Sequence, residues 1–189
     1  MADFNSNRNN RRDQSPAEPK QFEETVINID RVSRVVKGGR RFRFKALVVV
    51  GDRKSKVGVG VAKGADVQAA VQKATDVAKK HMVTIAIHDG TVPHDAEVRY
   101  AGAQVLLKPA SPGTGIIAGG VVRMIIGVTG IRNLLSKSLG STNKVNIAYA
   151  TVDALKSMVP KEHWLNLPNV KAEKTSKPKA VKAEAKKEK

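Results

Sequence analysis

The chain has no cysteine, which excludes disulfides, thiolate nucleophiles and every zinc site built on sulfur ligands. Aromatic residues are scarce: four Phe, two Tyr and one Trp in 189 residues. So few rings leave little material for stacking successive bases along a strand. No apolar run approaches the roughly 18 residues of a membrane-spanning helix, and the N-terminal MADFNSNRNNRR lacks the apolar stretch of a secretory signal. A cytoplasmic protein is expected. Acidic residues number 17 against 34 Lys and Arg, a formal net charge of +17. Such a surplus calls for a polyanionic partner, with nucleic acid the first candidate. An acidic membrane would also attract it, but the amphipathic helices need their apolar faces for the core, so no membrane partner is expected.

What is present divides into two tails and a body. Residues 1–20 are rich in Asn, Arg, Asp and Pro without apolar periodicity, the composition of a disordered leader. Residues 166–189 form a basic tail, with eight Lys and three Glu from Lys171 onward; it reads as a solubility tail or as a flexible phosphate-binding arm. The body is long enough for two small α+β domains, over 21–88 and 89–165.

In the first domain, period-2 alternation predicts three strands and one helix. Phe42, Phe44, Ala46, Val48 and Val50 share one strand face, and Arg41, Arg43 and Lys45 take the other. The preceding strand, about Thr25 to Val36, changes parity between Ile29 and Val32, which suggests a bulge. The third strand places Val57, Val59 and Val61 inward and Gly58, Gly60 and Ala62 outward, a bare face open to another backbone. Asp66 opens a helix with Val67, Ala70, Val71, Ala74, Val77 and Ala78 on one stripe. The second domain reads as a βαβα unit: strand pieces at Glu97 to Ala101 and Gln104 to Lys108, a buried helix Val121 to Val128 stopped by Gly130, a strand within Ile131 to Leu139, and a helix capped from Ser141-Thr142-Asn143.

Three constellations could pass for catalysis. Gly113-Thr114-Gly115-Ile116-Ile117-Ala118 satisfies the loose G-x-G-x-x-A form of a dinucleotide loop, which keeps open a nucleotide-dependent enzyme using Gly113 to Gly120. Against it, no Asp or Glu occurs between Glu97 and Asp153 to hold a ribose. Gly58, Gly60 and Gly64 fit neither phosphate-loop pattern and read as sheet packing. The four histidines, His81, His88, His94 and His163, lack metal-site spacing; His88-Asp89 and His94-Asp95 are acid-base pairs with no partnered nucleophile. No catalytic residue, metal or cofactor is expected.

The strongest feature is RVSRVVKGGRRFRF, from Arg31 to Phe44. Between Arg31 and Lys56 lie ten Lys or Arg and one Asp, clustered on a hairpin rather than spread over a tail. Gly38 and Gly39 let the chain reverse there at little steric cost. The candidate RNA-binding set is Arg31, Ser33, Arg34, Lys37, Gly38, Gly39, Arg40, Arg41, Arg43, Lys45, Arg53, Lys54, Lys56 and Lys63. Phe42 and Phe44 fall on the core face, so phosphate and sugar contacts with folded, double-helical RNA are expected rather than base stacking.

Taken in order, RVSRVVKGGRRFRFKALVVVGD, KVGVGVAKG, PASPGTGIIAGGVVR and GSTNKVNIAYAT resemble the bacterial family of the fifth protein of the small ribosomal subunit, from about Phe22 to Met158. The resemblance implies a first domain similar to double-stranded-RNA-binding domains. It implies a second domain with the fold of certain small-molecule kinases, including a crossover of unusual hand. It further implies 16S rRNA as partner, small-subunit proteins four and eight as neighbours, no homo-oligomer, and a role in setting head against body and in decoding accuracy. By the same resemblance, Val32 to Arg40, with Ser33, Lys37, Gly38 and Gly39 at its centre, matches the loop near the head-body hinge and the spectinomycin site. Gly115 and Arg123, with Gly113 in the same segment, match positions facing protein four. The chain departs from the family in Val59 and Val61, where aromatic residues are common.

Overall fold

A computed structural model describes residues 22–166; the leader over 1–20 and, but for Asn166, the basic tail lie outside the described residues. The order is β1 (Glu23–Val36), β2 (Gly39–Gly51), β3 (Lys56–Gly64), α1 (Val67–Lys80), β4 (Val83–Thr84), β5 (Ala96–Tyr100), β6 (Ala103–Pro109), β7 (Ile116–Ile117), α2 (Gly120–Gly127), β8 (Leu134–Gly140) and α3 (Lys144–Ser157). A short 3-10 helix, Lys161–Asn166, follows. The strands form two sheets, ordered β1-β2-β3-β4 and β5-β6-β8-β7. The first is antiparallel, three long strands with the two-residue β4 added at one edge. In the second, β7 and β8 are parallel neighbours joined through α2, and the other pairs are antiparallel.

Both faces of the first sheet are covered. On one, Ala46, Val48, Val50 and Ala62 pack against Ala70, Ala74 and Ala78 of α1. Residues this small let helix and sheet approach closely, and the glycines of β3 complete the fit: a Cβ on Gly60 would stand 2.0 Å from the Ala74 carbonyl oxygen. The face formed by Gly58, Gly60 and Ala62 therefore points at α1 and not outward; the bare surface is filled by the helix backbone. On the other face Leu47, Val49, Val57 and Val59 enter one apolar cluster with Val105, Leu107, Ile125, Ile126, Leu134 and Leu155. That cluster joins the two sheets.

β1 contains its bulge earlier than parity suggests, between Val26 and Asn28. The ladder is regular from Asn28 to the tip, so Ile29, opposite Ala46, and Val32, opposite Arg43, simply take opposite faces. α3 starts as expected, with the Asn143 side chain accepting the Val145 N–H at 3.1 Å. The short β7 has no sequence signal of its own; Ile116 and Ile117 pair with Leu134 and Leu135.

Candidate nucleic-acid interface

β3 pairs with β2 only from Gly51 back to Phe44. Beyond Phe44, β1 and β2 continue alone, pairing Arg31 with Phe44, Ser33 with Phe42, Val35 with Arg40 and Val36 with Gly39. The basic hairpin is thus a two-stranded arm standing clear of its sheet. Lys37 and Gly38 make the turn, Gly38 at φ +91° and Gly39 at φ +153°; a Cβ at either would meet open space. Backbone conformation, and not crowding, requires glycine there.

Residues opposite one another across a ladder share a face. Arg34, Arg41 and Arg43 of the arm and Lys45 and Lys63 at its base therefore share one face, where Val32, Arg34, Arg41, Arg43 and Lys63 line an open cleft of about 270 Å³. Among the described residues, none of Arg31, Arg34, Lys37, Arg40, Arg41 and Arg43 pairs with a carboxylate. Lys45 does, with its Nζ 2.8 Å from Asp30 Oδ2. The Asp30 carboxyl is held below its ordinary range by hydrogen bonds from Lys45 and Asn28. Uncompensated guanidinium groups around a cleft offer bidentate donors to phosphate oxygens.

Not every candidate joins this group. Arg53, Lys54 and Lys56 sit in and beyond the β2–β3 turn, at the end of β2 opposite the arm. With about 3.3 Å per strand residue, a strand the length of β2 holds the two groups some tens of ångströms apart. Arg53 is also engaged, its Nη2 donating to Glu23 Oε1 at 2.6 Å. That turn is braced by Asp52, whose Oδ1 accepts the N–H groups of Lys54, Ser55 and Lys56, each at 2.8 Å.

Phe42 departs from its expected place. Strand parity puts it on the α1 side, but α1 does not extend over the arm, so the ring is 47% exposed. Arg31 Cζ stands 3.8 Å from its centroid, a cation-π contact.

The glycine-rich loop before α2 is already occupied. Gly113 and Gly115, at φ +92° and +73°, point their N–H groups at one acceptor, Asn133 Oδ1, at 3.2 and 3.0 Å. Asn133 is buried, and sequence reasoning missed it, because its partners lie in another element. A phosphate would have to displace this side chain to use the loop. Arg123 is exposed on α2 and donates to the Ile116 carbonyl at 3.2 Å, which places Gly113, Gly115 and Arg123 on one small surface.

The histidine pairs dissolve on inspection. His94 Nε2 accepts the Val159 N–H at 3.1 Å and its Nδ1 lies 2.8 Å from the Asp95 carbonyl oxygen, so both nitrogens are spent on backbone. His88 Nε2 lies 3.2 Å from Asp89 Oδ2 on the exposed surface. Among the described residues no cluster of His, Asp and Glu could hold a metal ion, and no helix is long and apolar enough to cross a membrane.

Comparison with known proteins decides the family. The model of the ribosomal protein S5 N-terminal domain matches residues 22–86, and that of the S5 C-terminal domain matches 98–165. The chain belongs to the ribosomal protein S5 family. Small ribosomal subunit protein uS5 of Thermus thermophilus is 51% identical over 137 residues, covering 72% of this chain and 85% of that protein. The protein of the same name from Campylobacter jejuni subsp. jejuni serotype O:23/36 is 53% identical over 135 residues, covering 71% and 92%. The S5 N-terminal match spans the arm, and the S5 C-terminal match spans the Asn133-closed loop.

Proposed function

We propose that this chain is a structural component of the small ribosomal subunit that binds 16S rRNA through its basic arm. Family membership supports the assembly, and the arm supports the mode of contact. Arg34, Arg41 and Arg43, with no carboxylate partner among the described residues and beside Lys63, suit the closely spaced phosphates of folded RNA, where affinity comes from charge and positioning from shape. Arg31, Ser33, Lys37, Gly38, Gly39 and Arg40 complete this contact, with Lys45 buttressed by Asp30. Arg53, Lys54 and Lys56 form a second, separate basic point at the far end of the sheet.

The finer roles follow from the family resemblance. The arm reaches toward the joint of head and body, Gly113, Gly115 and Arg123 face small-subunit protein four, protein eight is a further neighbour, and the assembly supports decoding accuracy in the cytoplasm. The Asn133-filled loop weighs against nucleotide-dependent catalysis.

A sucrose gradient tests the reading. The tagged chain is expected to co-sediment with the small subunit and to remain there after a high-salt wash. Release by the wash, or sedimentation free of the subunit, overturns it.

A further inference from the structure

We infer that the two sides of the arm contact chemically different parts of RNA, and that Arg31 and Phe42 form a stacking site for one unpaired base. This deepens the RNA-binding reading and rests on it. The side carrying Arg34, Arg41, Arg43 and Lys63 is the more densely charged one. The opposite side carries Arg31, Ser33, Val35, Arg40 and Phe42, as the pairing of Ser33 with Phe42 and Val35 with Arg40 requires. Here apolar surface is left in water: Phe42 is 47% exposed and Val35 76%. Neither is covered by α1, whose contacts on β3 end opposite Phe44 at Gly64.

Arg31 and Phe42 are already arranged as two layers of a stack. The guanidinium carbon lies 3.8 Å from the ring centroid, and among the described residues Arg31 has no carboxylate partner. A guanidinium has two faces, and Phe42 covers one. The other can receive the π-face of a base, while the N–H edge remains able to reach a phosphate. Double-helical RNA hides its base faces, so the ligand of this site is a nucleotide from a loop, bulge or strand end. Ser33, opposite Phe42, supplies a hydroxyl at the rim that suits a ribose or base edge.

The test compares full-length wild type, Phe42→Leu, Arg31→Lys and the double charge reversal Arg40→Glu/Arg41→Glu. Each is titrated with a 16S rRNA transcript and with heparin, a polyanion without bases. Phe42→Leu keeps an apolar side chain and every charge, and Arg31→Lys keeps the charge but loses the plane. Both are expected to bind the transcript about tenfold more weakly, with the slope against salt unchanged for Phe42→Leu, and to bind heparin like wild type. Wild-type affinity of Phe42→Leu for the transcript overturns the stacking site. So does an equal loss for heparin, which would mark a folding or charge effect. Failure of the RNA-binding reading looks different: the charge reversal would then leave transcript binding intact. As a second readout, Phe42→Trp in a Trp164→Phe background should lose fluorescence with the transcript and not with heparin; equal fluorescence with both overturns the site.

Discussion

Gly60 of β3 and Ala74 of α1 are in contact through their backbones, so that a Cβ on the glycine would fall 2.0 Å from the alanine carbonyl oxygen and 2.7 Å from the Ala78 nitrogen. Neither atom can rotate away. Gly60→Ala must push the helix off its sheet and is expected to cost about 3 kcal/mol. Gly127, exposed in the last turn of α2 with nothing within 4 Å of its missing Cβ, makes the opposite prediction. Gly127→Ala should stabilise by about 0.5–1 kcal/mol, since alanine loses less backbone freedom in a helix. Urea midpoints of the two variants should move in opposite directions.

Asn133 carries the shape of the loop that most resembles a nucleotide site. Asn133→Ala leaves the Gly113 and Gly115 N–H groups without their acceptor, at a cost of about 2 kcal/mol. Amide exchange should quicken at those two glycines and not in α3. With the asparagine in place, calorimetry with ATP or NAD is expected to give no binding heat; saturable heat would reopen the enzymatic reading.

These two contacts also show where sequence reasoning reaches its limit. Alternation through Phe42 to Val50 revealed the strand, its two faces and the basic row, because period 2 is local. It could not reveal what covers each face. Gly58 and Gly60 look outward by parity, yet α1 lies over them. Phe42 looks inward by the same parity, yet the helix stops short of the arm. Asn133 has an unremarkable neighbourhood in the chain, and its role depends on a loop that tertiary folding brings beside it. The glycine turn at Lys37-Gly38 was legible because it is dictated by φ, a property of the residue itself.

Charge reversal should separate the arm from the opposite end of the sheet. Arg40→Glu/Arg41→Glu removes two cations that have no acidic partner among the described residues, so the slope of log affinity against log salt for a 16S rRNA transcript should flatten by about 2. Arg53→Gln is expected to change it less, because Arg53 is already held by Glu23. Equal effects at both ends would mean that RNA reads the whole sheet edge.

The Asp52 turn gives the fold an acid-sensitive point. Burial opposes the Asp52 charge, but N–H groups from Lys56, Ser55 and Lys54 outweigh it and hold the carboxyl below its ordinary range. A folded value below the unfolded one means the stabilisation is complete above the unfolded value and is lost as pH falls through the folded one. Stability measured by urea should therefore decline as pH drops from about 5 toward 3. Asp52→Ala should be destabilised by about 1 kcal/mol at pH 7. The gap to wild type should close at the acid end.

Leu47 and Val48 are adjacent on β2 and face opposite cores, one shared with the second sheet and one with α1. Both are fully buried. Leu47→Ala opens a cavity in the cluster that includes Leu107, Ile126 and Leu155, and should cost about 3 kcal/mol. Val48→Ala removes less volume from a layer of alanines and should cost less. If the apolar cluster welds the sheets into one cooperative unit, both variants unfold in a single transition, with far-UV circular dichroism and Trp164 fluorescence coincident. Two transitions in Leu47→Ala, with Trp164 lost in only one, would show that the second sheet holds its structure without the first.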